Sequence, residues 1–256
     1  MELTESWKSV FPQDVQDRYF FCETRSAAAI MKVTTPQAFQ DLIDVLQGFE
    51  LTWDKLTTPG GNRSVISAEL DEAFRVRGWR EARFEQDLTT RLTISPWGKA
   101  PEPEKTRTVE TQNSYGGHKI DNVMGRAALD VEWNPKDGNL DRDIANYLSL
   151  HEGGLIDVGV MLVRSTDVQP LTLELIAAVK GMEITGATEA WATRMRKLAT
   201  NPYATSTTAN YEKLRPRLER GDAHGCPLLA IGITSDAYRE PDTDLATAVE
   251  AVATTL

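Results

Sequence analysis

The sequence predicts an α/β protein, and three features carry that prediction. A strand pattern, a helix pattern and a second strand pattern follow one another within about forty residues from Leu129, the crossover order of a sheet packed with helices. Two short runs, LIDVGVMLV (155–163) and CPLLAIGI (226–233), are nearly all apolar, as strands buried on both faces are. Around them lie segments with apolar residues at three- and four-residue spacing, the pattern of helices with one buried face.

In chain order, residues 1–34 are mixed and carry the aromatic cluster Tyr19-Phe20-Phe21. From Thr35, TPQAFQDLIDVLQGF reads as a helix, with Thr35 as cap, Pro36 at its first position, and Phe39, Leu42, Ile43 and Leu46 on one stripe. LTTPGGNR (56–63) is a loop by its Pro-Gly-Gly-Asn content. A second helix is predicted over 65–77, with Ile66, Leu70 and Phe74 facing inward. Residues 92–94 end a strand, and the polar, Pro- and Gly-rich stretch 95–117 reads as a long loop with at most one edge strand. After the strand at 129–134, Asn134 to Gly138 is a turn, and Asn139 is predicted to cap a helix with Asp141 and Asp143 at the positive end of its dipole. Leu140, Ile144, Tyr147 and Leu148 form its apolar stripe. Helices over 171–179, 187–199, about 210–220 and the C-terminus complete the pattern.

The segment ALDVEWN carries the chemistry. Leu129, Val131 and Trp133 alternate with Asp130, Glu132 and Asn134, so a half-buried strand is expected with three polar side chains on one face. Side chains two apart on a strand are roughly 6.6 Å apart, within range of one shared metal ion or substrate group. Asp121, upstream, returns to the same place if the chain turns at Met124-Gly125-Arg126.

At 256 residues the chain is long enough for one domain with a substantial core. We expect a single domain over 1–256, its mainly helical part (about 1–90) packed on a core (about 91–256). No apolar run approaches the ~18–20 residues that span a bilayer, and the N-terminus does not read as a signal peptide, so a cytoplasmic protein is expected. Cys22 and Cys226 lack metal-site spacing and read as reduced thiols. The net charge of −10 disfavours a sequence-independent nucleic-acid binder. A DNA reading must gather positive charge locally and lean on a divalent cation. Arg75, Arg77, Arg80, Arg83 and Arg91 are either such a patch or a solvated face mixed with acids.

Four blocks, in order and spacing, resemble the type II restriction endonucleases of the BamHI and BglII group, within the PD-(D/E)XK nuclease class. They are Ile120-Asp121; Val131-Glu132-Trp133-Asn134; GNLDRDIANYLSLHEGGLIDVGVMLV (138–163); and Asn210 to Pro216 followed by Pro227 to Gly232. Together they cover roughly 118–238, with weaker support at 69–79. The resemblance implies a restriction-endonuclease-like fold, a central mixed β-sheet flanked by helices on both faces.

It further implies Asp121 and Glu132 as metal ligands with the backbone carbonyl of Trp133, and Asn134 in the third catalytic position. Most of the class has Lys there and this group Glu or Gln; an amide can orient a water but cannot take its proton. Asp130 is an alternative ligand or proton acceptor. The implied cation is Mg²⁺, with Mn²⁺ able to substitute. The implied partners are palindromic double-stranded DNA and a second copy of the chain, with host DNA protected by a cognate methyltransferase. Base contacts are assigned to Asn139, Asp141 and Arg142, and to Thr205, Ser206, Thr207, Thr208 and Asn210. Relatives often leave 5′ overhangs, and the same is expected here.

Blander readings stand beside these. His118 reads as a loop residue near the site, and His151 and His224 as structural. Trp191, Met195 and Leu198 read as core or dimer surface, and Arg194, Arg196 and Lys197 as a solvated face or phosphate contacts. The competing functions are a non-catalytic DNA-binding protein on the same fold, with Asn134 marking lost activity, and a metal-dependent phosphoesterase.

Overall fold

Burial explains where each element begins and ends. The computed structural model describes residues 2–58, 64–96, 103–180, 182 and 184–254, with backbone alone over 113–118. In chain order the elements are helices α1 (Trp7–Val10) and α2 (Gln13–Gln16), strand β1 (Tyr19–Glu23), and helices α3 (Ala27–Thr34), α4 (Pro36–Gly48), α5 (Trp53–Thr57) and α6 (Val65–Arg75). Strands β2 (Arg80–Ile94), β3 (Lys105–Met124) and β4 (Ala127–Glu132) follow, then α7 (Gly138–Glu152) and β5 (Val158–Arg164). The chain ends with α8 (Val168–Val179), α9 (Glu189–Thr200), α10 (Tyr211–Arg220), β6 (Leu228–Ile233) and α11 (Leu245–Ala253).

Contacts divide the chain into two units, one of Met1–Arg80 with Asp121–Leu256, the other of Glu81–Ile120. The first holds a mixed sheet in the order β1-β6-β5-β4-β3, β3 contributing its last residues. β4, β5 and β6 run parallel, while β1 and the end of β3 pair antiparallel at the two sides. This is the predicted α/β architecture. The aromatic cluster at 19–21, placed in a helical N-terminal region by its surroundings, is instead a sheet strand, with Tyr19 and Phe21 buried. Its pairing partner lies some 210 residues downstream in β6, beyond the reach of local pattern.

Helices cover both faces of this sheet. On one side, Gly159 and Gly232 leave room for the rings of Tyr147 (α7) and Tyr211 (α10); a Cβ at either would lie 2.7–2.9 Å from ring carbon. On the other, Leu129, Val131, Val160, Leu162 and Ile231 join the main core with Met31 (α3), Leu42 and Leu46 (α4) and Leu70 (α6). The predicted stripes of α4 and α6 are buried as read. β5 and β6 are buried at every position, as their apolar runs demand.

The second unit is the ribbon of β2 and β3. Its backbone corrects the reading of 95–117 as mostly loop, since 105–117 lie in β3. Alternating β-branched Thr and Val with charged residues suits an exposed two-stranded ribbon. The side chain of His118 and residues 59–63 of the predicted loop lie outside the described residues. Among the described residues no helix is long and apolar enough to cross a membrane. Cys22 and Cys226 are free and buried, and burial pushes their thiols up to about 11 and about 12.

Candidate active site

A tight turn returns Asp121 to the acid strand. Gly125 sits at its tip with φ +58°, a conformation glycine adopts without strain. Met124 pairs with Ala127 and Asn122 with Leu129. That register sets Asp121 beside Asp130, and the Asp121 N–H donates to Asp130 Oδ1 at 2.9 Å.

β4 is more deeply buried than its alternating pattern indicates. Ala127 to Val131 are all buried, and Asp130 is 5% exposed, because α7 covers the face that carries the acids. The Tyr147 hydroxyl lies 2.6 Å from Asp130 Oδ2 and 2.8 Å from the Val160 carbonyl. Burial, reinforced by the charges of Asp121 and Asp143, pushes the Asp130 carboxyl up to about 8. Burial also pushes Glu132 up to about 9, with Asp143 the next cause and Asp130 and Asp121 behind it.

At the C-terminal end of β4 the surface opens into a cleft of about 470 Å³, lined by Asp71, Asp121, Glu132, Trp133, Asn134 and Asn139 among others. The three predicted catalytic positions thus share one cleft. Asn134 lies past the last strand residue, in a bend, and is exposed. Trp133 is buried, its ring edge-on to Tyr203 at 6.0 Å. Lys55 and Arg194 also line the cleft; Arg194 donates to the Thr57 and Thr58 carbonyls, and Lys55 binds Glu69 and the Glu50 carbonyl.

Sequence reading missed two acids here. Asp71, on α6, is buried and accepts from Asn122 Nδ2 at 2.8 Å. Asp143, read as complementing a helix dipole, is buried against Glu132, its Oδ1 held 2.9 Å from Arg142. Tyr147, read as an apolar stripe residue, is the polar anchor of Asp130. Each contact joins separate elements, so no spacing along one segment signals it.

The residues assigned to base contact are dispersed in role. Helix α7 starts at Gly138 with Asp137 at the cap, which moves Asn139 from the cap into the first turn. A backbone bridge between Lys136 and Thr208, with Asp137 N–H on the Thr207 carbonyl, sets that earlier start. Asn139 lines the cleft, whereas Asp141 is bound by Arg217 at 2.7 Å and Arg142 by Asp143. Thr205 donates to Gln169, Thr207 to the Ala204 carbonyl, and the Ser206 carbonyl accepts from Lys213. Thr208 is buried on the Tyr203 carbonyl, and Asn210 is the buried N-cap of α10.

Of the weighed basic residues, Arg75 pairs with Glu72, Arg83 with Glu85 and Arg196 with Glu189, as solvated faces do. Met195 and Leu198 are core. His151 Nδ1 contacts the Ile156 carbonyl, and the His224 carbonyl accepts from Arg25, both structural placements.

Among the described residues, no three His, Cys, Asp or Glu side chains stand close enough together to hold a metal ion. The donor chemistry nonetheless fits a hard divalent cation. Asp121, Asp130, Glu132 and Asp143 are all carboxylates, the charges of Asp121 and Asp143 help to raise the pKa values of Asp130 and Glu132, and Asp143 Oδ2 is buried without a partner.

A mixed sheet with helices on both faces and acids gathered at the end of its hairpin strand defines a restriction-endonuclease-like α/β protein. The family model described as Restriction endonuclease BglII/BglIII matches residues 19–233, and the chain belongs to that family. It is therefore a nuclease of the restriction type, acting on DNA. No curated protein matches the chain.

Proposed function

We propose that the protein is a type II restriction endonuclease that hydrolyses phosphodiester bonds within a short palindromic DNA duplex, cutting to leave 5′ overhangs. The observation that carries this reading is the meeting of Asp121 and Glu132, from separate strands, at one cleft in a chain of this family. Asp121, Glu132 and the Trp133 carbonyl would hold a divalent cation, with Asp130 as the alternative ligand. Mg²⁺ bound there, or Mn²⁺ in its place, would lower the pKa of a coordinated water and offset phosphate charge.

The chain's own residues supply the rest. The Asn134 amide, exposed at the cleft mouth, orients the attacking water but cannot accept its proton, which passes to solvent or a phosphate oxygen. Lys55 and Arg194 bring positive charge to a cleft otherwise dominated by acids, the local compensation that a net charge of −10 requires. Asn139 is the base-contact candidate nearest the chemistry. Asp141, Arg142, Thr205, Thr207, Thr208 and Asn210 reach DNA by exchanging internal partners, whereas the Ser206 side chain is exposed. We assign two copies to one duplex, one site per strand, in a cytoplasm where a cognate methyltransferase protects host DNA.

The test is incubation of full-length protein with plasmid and Mg²⁺, beside Glu132→Ala. Discrete, metal-dependent fragments lost in the variant are expected. Binding without cutting, or cutting unaffected by the variant, would refute the assignment.

A further inference from the structure

Two carboxylates buried in contact need something positive between them. Asp143, buried, and Glu132, half-buried at the cleft, meet in this way, within hydrogen-bonding reach of each other on facing elements, α7 and β4. Asp143 is 3% exposed. The Arg142 guanidinium satisfies its Oδ1, but Oδ2 is buried with no hydrogen-bond partner. One turn further along α7, Asn146 Oδ1 is likewise buried and unpartnered. This stretch of helix therefore carries two buried oxygens without donors, and Asp143 turns its carboxylate toward the strand that holds Asp130 and Glu132.

Neither neighbouring acid relieves the contact. Asp130 already accepts from the Asp121 N–H and the Tyr147 hydroxyl, and it adds charge of the same sign. A proton or a metal ion between the two carboxylate oxygens would relieve the contact. A hard, oxygen-seeking cation fits a donor set of carboxylates and one amide oxygen.

We propose that Asp143 is a ligand of the divalent-cation site, binding through its Oδ2 together with Glu132 while Arg142 retains Oδ1. The proposal rests on the nuclease reading above and extends its cation site to α7. Asp143 thereby links ion binding to the first turns of α7, where Asn139, Asp141 and Arg142 stand.

The test is titration of Mn²⁺ into the full-length protein without DNA, followed by calorimetry, for the wild type, Asp143→Asn and Glu132→Gln. Asparagine preserves shape and a carbonyl oxygen facing Arg142 while removing the charge. Asp143→Asn is expected to weaken Mn²⁺ binding by ~10-fold or more, since loss even of a group that only supports a ligand costs that much.

If Asp143→Asn binds Mn²⁺ as the wild type does while Glu132→Gln does not, the proposal is overturned and the nuclease reading stands. In that case a proton alone holds the pair together. If the wild type binds no Mn²⁺, or if neither variant changes its binding, both the proposal and the assigned cation site fall.

Discussion

Replacing Gly159 with alanine tests whether α7 holds the site through Tyr147. An ideal Cβ on Gly159 would lie 2.7 Å from Tyr147 Cγ and 3.0 Å from both Cδ atoms, far inside van der Waals contact. The ring must retreat by several tenths of an ångström, yet its hydroxyl is tied to Asp130 Oδ2 and the Val160 carbonyl. Overpacking of this kind costs about 1–3 kcal/mol. Because Tyr147 is fully buried and its hydroxyl is tethered at two points, the upper half of that range applies. For a chain of this size each kcal/mol lowers the melting temperature by roughly 2–4 °C, so a fall of about 4–12 °C is expected. The displacement passes from Tyr147 to Asp130 and on to the Asp121 backbone that Asp130 holds. Cleavage measured well below both melting points should drop about tenfold or more, because misplacement by a fraction of an ångström degrades in-line geometry. Gly232→Ala is the control. It drives the same clash into Tyr211, 2.9 Å away, under α10 rather than under the acids. It should melt lower and still cut. Equal loss of cleavage in both variants, or none in Gly159→Ala, would refute the coupling.

Three further outcomes follow from the same geometry. Glu132→Gln should reduce plasmid cleavage by roughly a hundredfold or more, as loss of a metal-binding carboxylate does; retained cutting would remove Glu132 from the site. In chelator, stability should fall as pH rises. Asp130 and Glu132 are raised to about 8 and about 9, so their neutral buried forms contribute stability that is complete below about pH 4 and lost as pH climbs through 8–9. Urea midpoints at pH 6 and pH 9 measure this; a midpoint that rises with pH would contradict the burial argument. Finally, the Arg217–Asp141 pair, half-exposed on the Asp141 side, should show a coupling energy of about 1 kcal/mol or less in a double-mutant cycle. A coupling of several kcal/mol would mean that the pair locks α7 to α10.

The α/β class, the buried strands at 158–164 and 228–233, and the stripes of α4 and α6 were legible in the residue pattern. That pattern also placed Asp121 near Glu132 through the turn at Gly125. All of these depend on residues close along the chain, where side-chain period and turn chemistry act directly. Only the tertiary structure decided that Tyr19 to Glu23 joins the sheet, that α7 buries the acid face of β4, and that Asp71, Asp143 and Tyr147 belong to the same neighbourhood. The physical reason is that β4 reads as half-buried from its own alternation, and no local pattern announces a helix covering its polar side. Burial then turns ordinary carboxylates into strained ones, and that strain is a property of packing between elements rather than of any one segment.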